Sequence, residues 1–393
     1  MSRVTIPIGP QHPALKEPER FMVTVEGETI VDADVRIGHI HRGMEKLFEQ
    51  RTYMQNIHIT ERICGICSFT HSTNFCQATE YILGVEPPRR GLYLRTLMNE
   101  FERIHSHLLW LGVAGHEMGF DTLLMWSWDD RERILDLFED ITGNRVTHAY
   151  NTVGGVRRDI TDAQAQRILH TMDILEERTK AYIQVGLNEQ TILKRTQGVG
   201  ILTTADAKRL CAVGPRLRAS NVKYDVRKND PYAAYGELPF EVITSDTLDV
   251  HGQLVVRALE LLETVNMCRY MIKNLPTGDI RVKVPRKVPP GEAISRTEAP
   301  RGEDIHYLRS NGTDKPERLK VRAPTMANIL NVAHTLKGAN IADIPLIVAG
   351  IDPCMGCMDR VLILDRDKET SKVMTKDQLR EYSIAWYEKE AYR

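Results

Sequence analysis

The sequence predicts an α+β fold, mainly α, in which a central bundle of long helices carries a small N-terminal β-sheet and peripheral strand and loop regions. Three observations predict it. Apolar residues recur at intervals of three and four through long central stretches, as one buried face of a helix requires. The N-terminus alternates instead, with the period of two that marks half-buried strands. Pro, Gly and charge gather between Pro276 and about Pro300, where strand and loop replace helix.

Taken in order, "RVTIPI" alternates, and "FMVTVEGETIVDADVRI" reads as two strands around a turn at Glu26-Gly27. From Gly38 the pattern turns helical through "MEKLFEQRTYMQNIHITERI". A long helix follows in "GLYLRTLMNEFERIHSHLLWLG", where Leu94, Leu97, Met98, Phe101, Ile104, Leu108 and Leu111 form one stripe. A second starts at Thr161, whose partner Gln164 completes a capping-box pattern. A third spans "QLVVRALELLETVNMCRYMIKNL" and stops at Pro276. The tail holds a strand-like "VLILD" and a helix-like "TKDQLREYSIAWYEK", capped by Thr375 with Gln378 and offering Leu379, Ile384 and Trp386 for burial. The chain is thus divided into a β region (1–37), a helical core (38–275), a strand, loop and helix region (276–360) and a tail (361–393). The charged clusters "ERIHSH" and "WDDRER" are expected on solvated or interhelical faces, without chemistry of their own.

Composition bounds the function. A formal charge of -1 over 393 residues gives no reason to expect a nucleic-acid partner or a membrane held by charge. The run "IPLIVAGI" is far shorter than the roughly 20 residues a membrane-spanning helix needs. The start, "MSRVTIPIGPQHP", lacks the apolar stretch of a secretory signal. These features predict a cytoplasmic protein that meets a membrane only through partners.

Seven cysteines are present. Cys76, Cys211 and Cys268 stand alone and are expected as small core residues. The other four form two CxxC pairs, Cys64 with Cys67 and Cys354 with Cys357, one near each end of the chain. Each pair can place two thiolates on one metal. Structural zinc, an iron–sulfur cluster and a catalytic thiolate-bound metal all remain open on spacing alone. Zinc modules usually keep their pairs about 15–20 residues apart, unlike these.

The flanking residues narrow the choice. "RICGIC" with His71, and "DPCMGCMDR", resemble the two nickel-binding signatures of the NiFe hydrogenase large subunit. "GPQHPAL", "IGHIHRGMEKLFEQRTYMQ", "GVEPPRR", "ERIHSHLLWLG" and "GGVRRDI" resemble the related 49-kDa-type subunit of respiratory complex I. Together they resemble the membrane-bound, energy-converting group 4 hydrogenases, from Gly9 to about Arg360. The complex I subunit lacks the cysteine pairs; this chain keeps all four.

The resemblance implies a NiFe hydrogenase large-subunit-like fold and a nickel–iron centre whose iron carries cyanide and carbon monoxide. Cys64, Cys67, Cys354 and Cys357 would be the nickel ligands, Cys67 and Cys357 bridging to iron. Cys354 would also accept a proton, and Arg301 in "EAPRGEDIHY" would lie over the open face of the metals. The plain alternative for Arg301 is a surface ion pair with Glu303. Pro324 and Thr325 in "RAPT" would pack beside the cyanides; a helix N-cap is the rival role for Thr325. His71 would hydrogen-bond near the bridging sulfur, or be an ordinary core histidine. Glu17 would be the first proton relay, with Glu45 as its rival. The activity implied is interconversion of H2 with protons and electrons. Implied partners are an iron–sulfur small subunit holding the clusters, ion-translocating integral membrane subunits and ferredoxin. The implied location is the cytoplasmic face of the membrane. The alternative is a complex I-like electron-transfer scaffold without hydrogenase activity, or a zinc-stabilised subunit. Many relatives lose a C-terminal extension after the last cysteine; here the bond would be Arg360-Val361, and the tail's helix-like pattern predicts retention.

Overall fold

The alternating N-terminus folds into three antiparallel strands, β1 (Arg3–Ile8), β2 (Arg20–Glu26) and β3 (Thr29–Arg36), in that spatial order. This computed structural model describes residues 2–13, 15, 17–358, 364–365, 370–371, 374 and 376–390. One face of β2 buries Phe21, Val23 and Val25. The turn to β3 contains Gly27 at φ 63°, a left-handed conformation in which glycine escapes the Cβ penalty.

The predicted helix after Gly38 is two helices, α1 (Met44–Phe48) and α2 (Tyr53–Thr60). A second capping box, Thr52 with Gln55, starts α2 and makes the break. The core then builds from α3 (Ser68–Leu83), α4 (Arg89–Glu117), α5 (Asp121–Thr142), α6 (Asp162–Asn188) and α7 (Val250–Lys273). The expected Thr161–Gln164 box caps α6. Helix α4 packs along α5, and α7 lies against both α4 and α6. Helix α5 lies outside the predicted elements, although Leu123, Ile134, Leu135, Phe138 and Ile141 give it a buried stripe.

Beyond α7, three antiparallel strands form a second sheet: β4 (Gly291–Ala299), β5 (Gly302–Ser310) and β6 (Pro316–Arg322), with β5 central. Helices α8 (Pro324–Leu336) and α9 (Ile344–Gly350) follow. Ile329, Val332, Leu336, Ile347 and Val348 share one hydrophobic cluster with Phe21, Val23 and Ile30. This shared core packs the N-terminal sheet against α8 and α9 and places the β1–β2 connection beside the segment after α9.

One expectation changes, and one of two expected settings is decided. Cys76 and Cys268 are buried, but Cys211 is exposed, in a left-handed turn at φ 53°. "ERIHSH" has no solvated face: Glu102, Arg103, His105, Ser106 and His107 are all buried. Their charges are satisfied between helices and sheet, as when His107 meets Glu260 at 2.9 Å and Arg103 donates to Glu298 O at 2.7 Å.

The tail helix is present as α10 (Lys376–Glu390), but Ile384 and Trp386 are exposed rather than buried on this subunit. Its Thr375 cap and the Arg360-Val361 bond lie outside the described residues. Among the described residues, no helix is long and apolar enough to cross a membrane.

Candidate metal centre

The first cysteine pair lies between α2 and α3. Cys67 is the residue before α3, so this loop ends at a helix N-terminus, where backbone N–H groups lack intrahelical partners. Glu102, reaching across from α4, fills that need. It accepts from Phe69 N at 2.5 Å, from Thr70 N at 2.9 Å and from the Thr70 hydroxyl. Burial pushes the Glu102 carboxyl up to about 8, against those hydrogen bonds.

The second pair follows α9. Asp352 stands at φ 53°, a conformation costly for a residue with a Cβ. Arg301 holds it there. The Arg301 Nε donates to Asp352 O at 2.6 Å and Nη2 to Asp352 Oδ1 at 2.7 Å, while Nη1 reaches Ser106 Oγ at 3.3 Å. Arg301 is itself in the two-residue turn between β4 and β5 and only 2% exposed. The chain can pack over that turn because Gly214 has no Cβ; one there would sit 2.4 Å from Arg301 O. The expected alternative of a surface pair with Glu303 does not occur: Glu303 binds Arg296 and Arg322 instead.

These two loops bring four buried thiols together. Cys354 Sγ lies 3.1 Å from Cys64 Sγ and 3.1 Å from Cys357 Sγ, and Cys357 Sγ lies 3.9 Å from Cys67 Sγ. All four cysteines are free, at distances well beyond the ~2.05 Å of a disulfide. Hydrogen bonds from the Cys354, Cys357 and Cys67 thiols, with Arg301 nearby, hold the Cys64 thiol well below its ordinary range despite burial. The N–H groups of Ile66 and Cys67 also point at Cys64 Sγ, each at 3.3 Å. Four soft donors converging in a buried site, with a fixed cation beside them, fit a thiolate-bound transition metal.

The remaining predicted residues surround this cluster. His71 Nε2 is 3.6 Å from Cys357 Sγ. Its Nδ1 lies 3.2 Å from Asp304 Oδ2 and 3.1 Å from His306 Nε2. Burial opposes protonation of His71, but the Asp304 carboxylate prevails and raises it. Thr325 is not the N-cap of α8; that residue is Ala323, and Pro324 and Thr325 occupy the first turn. The Thr325 Oγ1 instead accepts from Cys354 N at 3.0 Å.

Glu17 and Glu45 approach the second pair separately. One Glu17 oxygen, Oε2, accepts from Met355 N and, at 3.2 Å, from Gly356 N. Burial raises the Glu17 carboxyl, helped by the charge on Cys64 and opposed by those two bonds. The Glu45 Oε1 accepts from Val321 N at 3.1 Å, and Arg318 lies 3.5 Å from Oε2. Glu17, with Arg301, Asp352 and Pro353, also lines a cavity of about 290 Å³.

Several of these supporting residues escaped the sequence reading: Glu102, Ser106, Asp304, His306, Asp352 and Arg42. Arg42 joins the cysteine loops, donating to Arg62 O at 3.1 Å, Ile63 O at 2.8 Å and Gly356 O at 3.0 Å. Its place in "IGHIHRGMEK" was the available signal, but the contact depends on segments far apart in the chain meeting in space.

Comparisons with known proteins accord with this arrangement. The family described as "Respiratory-chain NADH dehydrogenase, 49 Kd subunit" matches residues 117–288 and 281–360. The family described as "Nickel-dependent hydrogenase" matches residues 42–112. The chain is 39% identical to the membrane-bound hydrogenase subunit alpha of Pyrococcus furiosus, covering 97% of this chain and 92% of that one. It is 41% identical to the carbon monoxide-induced hydrogenase of Rhodospirillum rubrum, covering 92% and 100%. The solved structure of the membrane-bound sulfane sulfur reductase, an archaeal respiratory membrane complex, matches with a TM-score of 0.87 and 34% identity, over 91% of this chain and 98% of that one.

Proposed function

The chain belongs to the oxidoreductase family that joins group 4 NiFe hydrogenase large subunits to the 49-kDa subunit of respiratory-chain NADH dehydrogenase, and from this premise we propose that it is the catalytic large subunit of a membrane-bound, energy-converting hydrogenase. It interconverts H2 with protons and electrons. The observation that carries the reading is the convergence of four buried thiols near a buried arginine. Cys64, Cys67, Cys354 and Cys357 would hold a nickel–iron group whose iron carries cyanide and carbon monoxide. When bound, that group supplies the redox chemistry of H2.

The chain's own residues do the rest. Arg301 presents a guanidinium fixed on two sides by Asp352 and on a third by Ser106, in a dry site where its charge acts strongly. His71, oriented by Asp304 and His306, holds its ring toward the Cys357 sulfur. Cys354 Sγ takes up a proton, and Glu17, bonded to the N–H of the next residue, carries it outward. Its raised pKa suits exchange closer to neutrality.

Electrons need another subunit. Cys76, Cys211 and Cys268 are the cysteines left after the four, too few for a four-cysteine cluster. An iron–sulfur small subunit therefore docks beside the centre, with ferredoxin as donor. Integral membrane subunits hold the assembly at the cytoplasmic face of the membrane and couple H2 formation to ion translocation. The second reading is a membrane-complex subunit acting on a sulfur compound or a quinone, favoured by the match to the sulfane sulfur reductase structure. The deciding experiment is an infrared spectrum with metal analysis of the purified complex. Nickel, iron and intrinsic carbon monoxide and cyanide bands, with H2 evolution from reduced ferredoxin, are expected. The same bands without H2 turnover would favour the second reading; absence of nickel would sink the first.

A further inference from the structure

Helix α8 carries two asparagines where alanine would make the better helix, and both Asn328 and Asn331 are buried. A buried amide is costly unless it is hydrogen-bonded. Asn328 meets one residue with both ends of its amide. Its Oδ1 accepts from Val213 N at 3.0 Å, and its Nδ2 donates to Val213 O at 3.1 Å. The Asn331 Nδ2 also donates to Asn328 Oδ1 at 3.1 Å, which fixes the side of the amide that faces the Val213 N–H.

What this clamp holds is the backbone behind Arg301. Gly214 follows Val213 at φ 67°, and Gly302 follows Arg301 at φ 130°. The two glycines meet back to back. A Cβ on Gly214 would fall 2.4 Å from Arg301 O, and one on Gly302 would fall 2.7 Å from Gly214 N. Packing this close passes any movement of Val213 and Gly214 on to the Arg301 turn. The short helix Gly214–Arg218 is tied at its other end too, where Arg218 donates to Glu260 at 2.6 Å and to Glu298 at 2.7 Å. Thr325, one turn before Asn328 on the same face of α8, takes the Cys354 N–H. One helix therefore fixes both a cysteine loop and the turn that carries the guanidinium.

We propose that Asn328 is a positioning residue: by holding Val213 and Gly214 against the Arg301–Gly302 turn, it sets where the Arg301 guanidinium stands relative to the thiol cluster. It acts through Arg301. The Arg301 side chain is also bonded to Asp352 and Ser106, so a turn released by Asn328 shifts until those bonds alone define it. The clamp does not depend on a metal; its effect on turnover rests on the hydrogenase reading.

Two measurements on the purified complex test this. Hydrogen exchange followed by mass spectrometry reads the clamp itself, with nickel bound or not. Asn328→Ala should speed exchange about tenfold in the peptides covering 211–216 and 299–305. Unchanged exchange in 299–305 overturns the proposal. The second measurement is kcat for H2 evolution from a reduced donor. Asn328→Ala should lower it about tenfold with the donor KM unchanged, within the ~100-fold that a 1 Å misplacement can cost. In an Arg301→Lys background, which has already lost the planar fork, the same substitution should lower kcat by less than about twofold. A full tenfold fall in both backgrounds would mean that Asn328 acts without Arg301, and would overturn the role. Ile329→Val removes a buried methylene from the same helix and lowers stability, yet should change neither the exchange of 299–305 nor kcat. Effects equal to those of Asn328→Ala would reduce Asn328 to a stability role and overturn the proposal. Should Asn328→Ala fail to assemble, Asn331→Ala removes only the orienting bond and should act in the same direction more weakly; wild-type exchange and kcat there would overturn the clamp. A wild-type complex that makes no H2, with exchange of 299–305 still faster in Asn328→Ala, would count against the hydrogenase reading and support the clamp.

Discussion

Thr325→Val tests how the second cysteine loop is held. Thr325 and Cys354 are both buried, and the Thr325 oxygen accepts the Cys354 N–H at 3.0 Å. Valine has nearly the same shape but no acceptor. The orphaned N–H costs about 1–3 kcal/mol, and an extra buried methyl returns up to ~0.8 kcal/mol, leaving a net loss of up to about 2 kcal/mol. At roughly 2.1 cal/mol/K per residue, a chain of 393 residues has an unfolding entropy near 0.8 kcal/mol/K, so Tm should fall by about 2 °C. The loss falls on the backbone of a ligand, so nickel content should drop more clearly than Tm. Thr325→Ser keeps the acceptor and should restore both. The assay is thermal unfolding of the complex alongside nickel per subunit. Unchanged melting and nickel in Thr325→Val, or a serine variant as poor as valine, would refute the reasoning. The Thr325 hydroxyl hydrogen stays free to donate in this arrangement, so a shifted cyanide band in the valine variant would add its expected second role without replacing the first.

Glu17→Gln should slow H2/D2 exchange while nickel stays bound, because the amide oxygen can keep the two bonds now made to a single carboxylate oxygen; Glu45→Gln should slow exchange less, and the reverse order would place the proton exit at Glu45. Arg42→Gln should destabilise the loops by about 1–3 kcal/mol and lower nickel content, since a charged fork bonding three carbonyls is lost; Arg42→Lys should recover part of this, and wild-type nickel in Arg42→Gln would remove the clamp from the account. Glu19 is buried, its carboxylate accepting from the Arg20 N–H at 3.4 Å, and burial raises its pKa to about 7. A carboxyl raised on folding costs stability above its folded pKa and nothing below its unfolded value near 4.5, so Glu19→Gln should gain about 2–3 kcal/mol at pH 8 and almost none at pH 4. Urea unfolding at both pH values checks it; an equal gain at both would mean that charge is not the cause.

The sequence was readable where local rules decide the outcome. The strand alternation of β1 to β3, the stripe on α4 and the cap at Thr161 are set by residues close in the chain. The four cysteines were legible because a thiolate pair at CxxC spacing restricts the chemistry. Other features depend on residues far apart. "ERIHSH" could face solvent or another helix, and only the arrival of Glu298 and Glu260 from other elements decides that it is buried. Arg301, two residues from Glu303 in sequence, pairs with Asp352 in space, because it sits in the turn before β5 while Arg296 and Arg322 from the flanking strands take the Glu303 carboxylate. Helix α5 was missed at its exposed aromatic start, where Met125, Trp126 and Trp128 blur the apolar period that Ile134, Leu135 and Phe138 make plain.

The same long-range contacts bear on which kind of metal site this is. A structural zinc site supplies folding energy to loops that have little else to hold them. Here each cysteine loop has its own support. Glu102 satisfies the start of α3, Arg301 fixes both the carbonyl and the carboxylate of Asp352, Thr325 takes the Cys354 N–H, and Arg42 ties the loops to each other. Around them lies a core in which the N-terminal sheet and helices α8 and α9 share their apolar faces. None of these contacts passes through a sulfur–metal bond. Four thiols are therefore held in place by the protein itself, beside a buried guanidinium and a carboxyl of raised pKa. A staple has no use for either group. A centre that must polarise a small molecule and pass on its proton uses both, and that difference favours a catalytic over a structural metal.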